Sequence, residues 1–171
     1  MKDEKRAERL ERLTASLSAY YDIIPADEGE LVMRAEFHAR GEKYLVIREV
    51  NMWSAEDHDY VYVYSGGHLD GRTFDRNVSH TLEDGMTRIR PGPEHRSSTL
   101  TSIMIYDSID KCTAKTLKRY SYHRSFRMML NGWMDHRVSA VITDSSEVVL
   151  DRRSGGLRKS LERIATDSDM E

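Results

Sequence analysis

Leu31, Met33, Ala35 and Phe37 alternate with Arg34, Glu36, His38 and Arg40. A period of two puts the apolar set on one face of a strand and the charged set on the other. Tyr60, Tyr62 and Tyr64 repeat that period, with Val61 and Val63 between them. Elsewhere the period changes. Leu10, Leu13, Leu17, Tyr20 or Tyr21, and Ile24 recur in steps of three and four, as do Phe74, Val78, Leu82, Met86 and Ile89. That is helix spacing. A chain that switches period in this way packs helices on a sheet, which is the α+β class.

The helical pattern predicts a helix over 2–24, ended by Pro25. Its apolar stripe either docks on the sheet or pairs with a helix of a partner, which is the one route to an oligomer that the pattern offers. Strands follow at 31–39, 44–50 (extended by Met52 and Trp53) and 60–64, the last broken by Ser65-Gly66-Gly67. Short connections make them an antiparallel meander. A helix over 74–89 is capped by Asp70 or Thr73, and Gly85 frays or ends it. Pro91-Gly92-Pro93 is an internal linker between the halves of a single domain, 1–171. Beyond it come a strand at 100–106, a helix at 111–119 with Asp110 as N-cap, strands at 122–130 and 134–142, a short strand at 147–150, and a last helix with Leu157, Leu161 and Ile164. Residues 167–171 fray. In sum, a mostly antiparallel sheet of about seven strands in two meanders carries the N-terminal helix and two to three more.

The hairpin near residue 131 has two registers. A two-residue Asn131-Gly132 turn puts Arg137 and Asp135 on the apolar face. A three-residue loop through Trp133 instead pairs Phe126 with Val138, Met128 with His136 and Leu130 with Met134, and is the register expected. It turns His123, Ser125, Arg127 and Arg137 outward.

Several chemistries are excluded by missing signatures. The chain has no phosphate loop of the G-x-x-x-x-G-K-[ST] type, no G-x-G-x-x-G turn, no G-x-S-x-G elbow, no H-E-x-x-H and no paired C-x-x-C. No motif calls for a cofactor. Net charge is −3 at pH 7, which excludes a strongly basic coat protein. The longest runs free of Asp, Glu, Lys and Arg, Tyr60–Leu69 and Ser97–Tyr106, are ten residues each, too short for a membrane helix. Cys112 is the sole cysteine, so no intrachain disulfide forms. With an N-terminus that alternates charge and leads into no apolar run, it fits a reducing cytoplasm. Cys112 is either an inert thiol or a nucleophile, and no catalytic signature surrounds it.

The clearest anomaly is 111–127. It holds Lys111, Lys115, Lys118, Arg119, Arg124 and Arg127, with no acidic residue. Helical spacing lines up Lys111, Lys115 and Lys118 or Arg119, and the hairpin adds Arg127 and Arg137. Such a surface suits phosphates, with Tyr120 available to stack on a base. The competing reading is a solvated helix whose lysines pair with the acidic loop at 56–59 or with the C-terminal tail. The function expected is a small non-catalytic binding or regulatory domain. The alternative is a nucleic-acid-binding protein that uses Lys111, Lys115, Lys118, Arg119, Tyr120, Arg124, Arg127 and Arg137.

Metal chemistry has weaker candidates. Glu36 and His38 lie two apart on a strand face and could share a metal or a proton. Arg34 and Arg40 flank them, which favours a salt-bridge ladder instead. Asp57-His58-Asp59 offers ligands or is simply an acidic loop. His136 falls on the apolar face, as a hydrogen-bonded core histidine or a ligand. His68, His80 and His95 have no assignable partner. The Tyr60, Tyr62, Tyr64 stripe is either an aromatic binding face or sheet packing under a helix.

Helix, three meander strands, helix and strand, over about residues 5 to 107, is similar to the core order of restriction-endonuclease-like nucleases, the PD-(D/E)XK group. That resemblance implies a divalent-metal site built from an acidic residue opening the second strand and a Glu-x-Lys or Asp-x-Lys ending the third. Asp59-Tyr60-Val61-Tyr62-Val63-Tyr64 lacks the triplet, and Glu49-Val50-Asn51 lacks its lysine. A metal-dependent hydrolase would use Glu36, His38 or Glu49 as ligands.

Overall fold

The computed structural model describes residues 1–38, 58–93, 97–128 and 130–166, with His38 described for its backbone alone. Its elements are α1 (Lys2–Ser18), β1 (Asp22–Glu28), β2 (Leu31–His38), β3 (His58–Leu69), α2 (Gly71–Arg88), β4 (Ser97–Ile109), α3 (Lys111–Arg119), β5 (Tyr122–Ser125), β6 (Trp133–Ile142), β7 (Glu147–Leu150), a 3-10 turn (Gly155–Leu157) and α4 (Arg158–Ala165). The seven strands form one open sheet in the order β1-β2-β3-β4-β6-β5, with β7 also on β6. No described helix is long and apolar enough to cross a membrane.

The class is α+β as expected, but the sheet is mixed. β3, β4 and β6 run parallel to one another, while β1–β2, β2–β3, β5–β6 and β6–β7 are antiparallel. The two-meander expectation is therefore corrected. Parallel neighbours need a crossover of a dozen residues or more. α2 and α3 provide those crossovers, each returning the chain to the same end of the sheet. Parallel strands are covered on both faces, and β4 is buried from Ser97 to Asp107.

The N-terminal helix is shorter than its periodicity suggested. It ends at Ser18, and Ile23, Ile24 and Pro25 belong to β1. Proline is tolerated there because β1 is an edge strand and needs no donor on its outer side. Leu13 and Leu17 are fully buried against the sheet and α4, so the stripe docks within the chain. The expected strand at 44–50 lies outside the described residues. β2 pairs directly with β3, from Leu31 with Tyr64 to His38 with His58.

β3 also runs through Gly66 and Gly67 rather than stopping at them. A Cβ at Gly66 would sit 2.7 Å from Cε1 of Tyr106, so the missing side chain lets two strands and an aromatic ring share one place. Gly85 lies inside α2, not at its end. A Cβ there would be 2.5 Å from Cδ1 of the buried Leu100, so it is the point where the helix rests on the sheet. Asp70 caps α2, accepting from the Thr73 amide at 2.8 Å.

The two faces of the sheet have separate cores. α1 and α4 cover one face, with Phe37, Val61, Ile103, Ile105 and Val141. α2 and α3 cover the other, with Tyr60, Tyr62, Tyr64, Leu100, Met104, Tyr106 and Val138.

Candidate functional site

The basic helix forms where the spacing placed it. α3 buries Thr113 and Leu117 and exposes Lys111, Lys115, Lys118 and Arg119. After Tyr120 and Ser121 the chain enters β5, where Arg124 is exposed and lies 5.6 Å from the Phe126 ring centroid. Arg127 is exposed as well. None of these six cations has an ion pair with a described residue; Glu56 and Asp57 of the acidic loop and the tail 167–171 lie outside the described residues.

Two site residues change place. Tyr120 turns inward: its hydroxyl lies 2.6 Å from Nδ1 of His136, and its ring meets Phe74 edge-on, so it cannot stack on a base without leaving that seat. Arg137 follows His136 on β6 and therefore points to the opposite face from α3. It is half-buried near the Tyr21 hydroxyl, whose proton is held firmly, chiefly by burial and then by Asp59.

The hairpin register differs too. β5 pairs Tyr122 with His136 and Arg124 with Met134, and stops at Ser125. Phe126, Met128 and Leu130 therefore do not line up with Val138, His136 and Met134. Arg127 and Met128 both adopt left-handed backbone (φ 47° and 52°), closed by the Leu130 amide donating to the Arg127 carbonyl at 3.0 Å. Met128 is 92% exposed and Leu130 78%. The apolar side chains counted as core are thus held out in solvent beside Arg124 and Arg127. Of the outward set, His123 faces Asp135 at 2.7 Å, and Arg153 also bonds that carboxylate.

The other strong feature was invisible in the sequence. Under α2 the tyrosine stripe is packing, not a binding face, and each hydroxyl is tied to the helix. Tyr60 reaches the Arg88 carbonyl at 3.4 Å, Tyr62 reaches Asp84 at 2.5 Å, and Tyr64 lies 3.0 Å from His80 and 2.8 Å from Thr81. From Tyr64 the bonds continue inward. Thr81 meets Ser102 at 2.8 Å, Ser102 meets Nε2 of His136 at 2.8 Å, and Nδ1 of His136 meets Tyr120. His136 is a hydrogen-bonded core histidine. Burial drives its pKa down to about 3, so the ring is neutral at pH 7. Burial also holds Tyr64 and Tyr120 firmly protonated. Burial alone would raise the Asp84 carboxyl, but bonds from Arg88 and Tyr62 outweigh it and hold it below the ordinary range.

Of the metal candidates, only some have described side chains. Glu36 lies between two guanidiniums, Arg34 at 3.4 Å and Arg88 at 3.3 Å, a salt-bridge ladder in which a further cation is disfavoured. The His38 side chain and Glu49 lie outside the described residues, as does Asp57. Asp59 is buried in β3 and accepts from Tyr21 at 2.6 Å. No group of three His, Cys, Asp or Glu able to hold a metal exists among the described residues. Cys112 is exposed on α3. His68 bonds Ser108 and Asp110, both at 2.7 Å, and His95 lies outside the described residues.

A family model described as Domain of unknown function (DUF8052) matches residues 5–163. No curated protein matches, and no solved structure matches.

Proposed function

Since the chain belongs to the DUF8052 family across residues 5–163, a membership that leaves activity open, we propose from its geometry that it is a non-catalytic binding domain for nucleic acid. The working surface is α3 with the loop that follows β5. One observation carries the reading: Lys111, Lys115, Lys118, Arg119, Arg124 and Arg127 are all exposed and none has an ion pair with a described residue. Cations not already neutralised within the protein can release condensed counterions from a phosphate backbone, which is the main source of nucleic-acid affinity. Met128 and Leu130 suit the same partner, because exposed apolar side chains beside arginines can wedge between base steps. Tyr120 and Arg137 are left out of this surface.

Fluorescence anisotropy of labelled single- and double-stranded DNA and RNA, at about 50 and 200 mM salt, tests the proposal. Binding that weakens steeply between the two salts supports it; no binding at the lower salt ends it. A second reading, a protein partner seated on Met128 and Leu130, rests on their exposure alone. It predicts capture that is insensitive to salt and lost in Met128→Asp/Leu130→Asp.

A further inference from the structure

On the same face as the tyrosine stripe, at the far end of the polar chain, a cavity of about 360 Å³ opens between the β1–β2 turn and α2. That volume is within the range of small-molecule sites. Glu28 and Glu30 come from the turn, Tyr64 from β3, and Arg76, Asn77 and His80 from one face of α2. Its wall is mainly carbon, with Leu31 and the Tyr64 ring contributing.

The charges in the wall are unequally committed. Glu30 accepts from Tyr106 at 2.5 Å and from Arg76 at 3.1 Å, so its charge and that of Arg76 offset each other. Among the described residues Glu28 has one ion-pair partner, Nε2 of His80 at 3.5 Å, beyond a good hydrogen bond, and its side chain is 70% exposed. Among the described lining residues, the less committed negative charge is therefore that of Glu28. We propose that the cavity binds a small primary amine with an apolar body, the ammonium seated between Glu28 and the His80 ring.

The polar chain gives this seat a second signature. At 3.5 Å the negative charge of Glu28 still favours the His80 tautomer with its proton on Nε2. Nδ1 must then accept from Tyr64, Tyr64 from Thr81, Thr81 from Ser102, Ser102 from Nε2–H of His136, and Nδ1 of His136 from Tyr120. One order satisfies every group. An ammonium arriving at His80 brings donors of its own and needs Nε2 to accept. The His80 proton then sits on Nδ1 and the chain runs the other way, leaving His136 protonated at Nδ1. No proton is gained or lost by the protein. Each hydroxyl turns over, and the Tyr120 hydroxyl donates outward.

The test is an NMR titration at a fixed pH of about 8. Phenethylammonium chloride is the probe, with 3-phenylpropionate and 2-phenylethanol as the anion and neutral analogue of similar shape. The ammonium is expected to give a saturable shift at Gly29 and Asn77, with affinity at least tenfold above either control. Glu28→Gln, an exposed position that leaves folding intact, is expected to lower that affinity at least tenfold. Both histidines are expected to change tautomer in the ¹⁵N spectrum. Equal binding of the three probes, no binding of the ammonium, or an unaffected Glu28→Gln overturns the site. Ammonium binding with an unchanged His136 tautomer overturns the seat beside His80. None of these outcomes depends on nucleic-acid binding.

Discussion

The two notable regions on the α2–α3 face satisfy their polar groups in opposite ways. Along α3 and the loop after β5, six cations and two apolar side chains face water with no ion pair to a described residue. Under α2, a run of imidazoles, phenols and hydroxyls is joined bond to bond, and His136 and Ser102 at its centre are fully buried. The first region can change with little effect on stability. The second cannot, because a buried polar group that loses its partner costs about 1–3 kcal/mol. Function that needs access belongs to the first, and rigidity to the second.

The largest expected effect is His136→Ala. It removes the imidazole that bonds Tyr120, takes one of the two partners of Ser102 and leaves a cavity, so stability should fall by about 3 kcal/mol or more. Urea unfolding measures it, and a loss within experimental error would mean the chain of bonds is not structural.

Acid should act through the same residue. The folded His136 pKa, about 3, lies below the 6.5 of an unfolded imidazole. Between those values the unfolded state binds a proton that the folded state does not, so stability is full above pH 6.5 and is lost as pH falls toward 3. His136→Gln should flatten that slope by about one proton, read from urea midpoints across the window.

Gly85→Ala comes next. Alanine favours a helix by about 1 kcal/mol, but its Cβ would press on Leu100, which is fully buried and has nowhere to move. Overpacking should win, with a net loss of about 1–2 kcal/mol. A gain in melting temperature would mean α2 rides higher on the sheet than described.

The smallest stability effect is expected from Lys115→Glu/Lys118→Glu/Arg119→Glu. Exposed cations with no ion pair to a described residue should shift stability by less than about 0.5 kcal/mol, while nucleic-acid affinity collapses. A large loss of stability would erase the contrast between the regions.

Residue type explains what could be read beforehand. Lys111 to Arg119 form a local pattern in one helix, so buried Thr113 and Leu117 and the exposed cations follow from spacing. The Asp110 and Asp70 helix starts were legible for the same reason. The polar chain was not, because its links join residues 16 to 34 positions apart and depend on which strands become neighbours. The parallel core was half legible: two helices between strands are the crossovers that parallel pairing requires, but short connections elsewhere favoured a meander. Ile23, Ile24 and Pro25 misled because a short edge strand continues the helical spacing by chance. Met128 and Leu130 misled because apolar character argues for burial, and only the left-handed backbone at Arg127 and Met128 carries them out of the hairpin.

The cations of α3, which have no ion pair with a described residue, are proposed to meet phosphates. The most direct measurement is the salt dependence of duplex DNA binding for the native chain and for Lys115→Gln/Lys118→Gln/Arg119→Gln. The slope of log affinity against log salt is expected to fall by about three, one for each cation removed. An unchanged slope and affinity would contradict it and move the working surface elsewhere on the molecule.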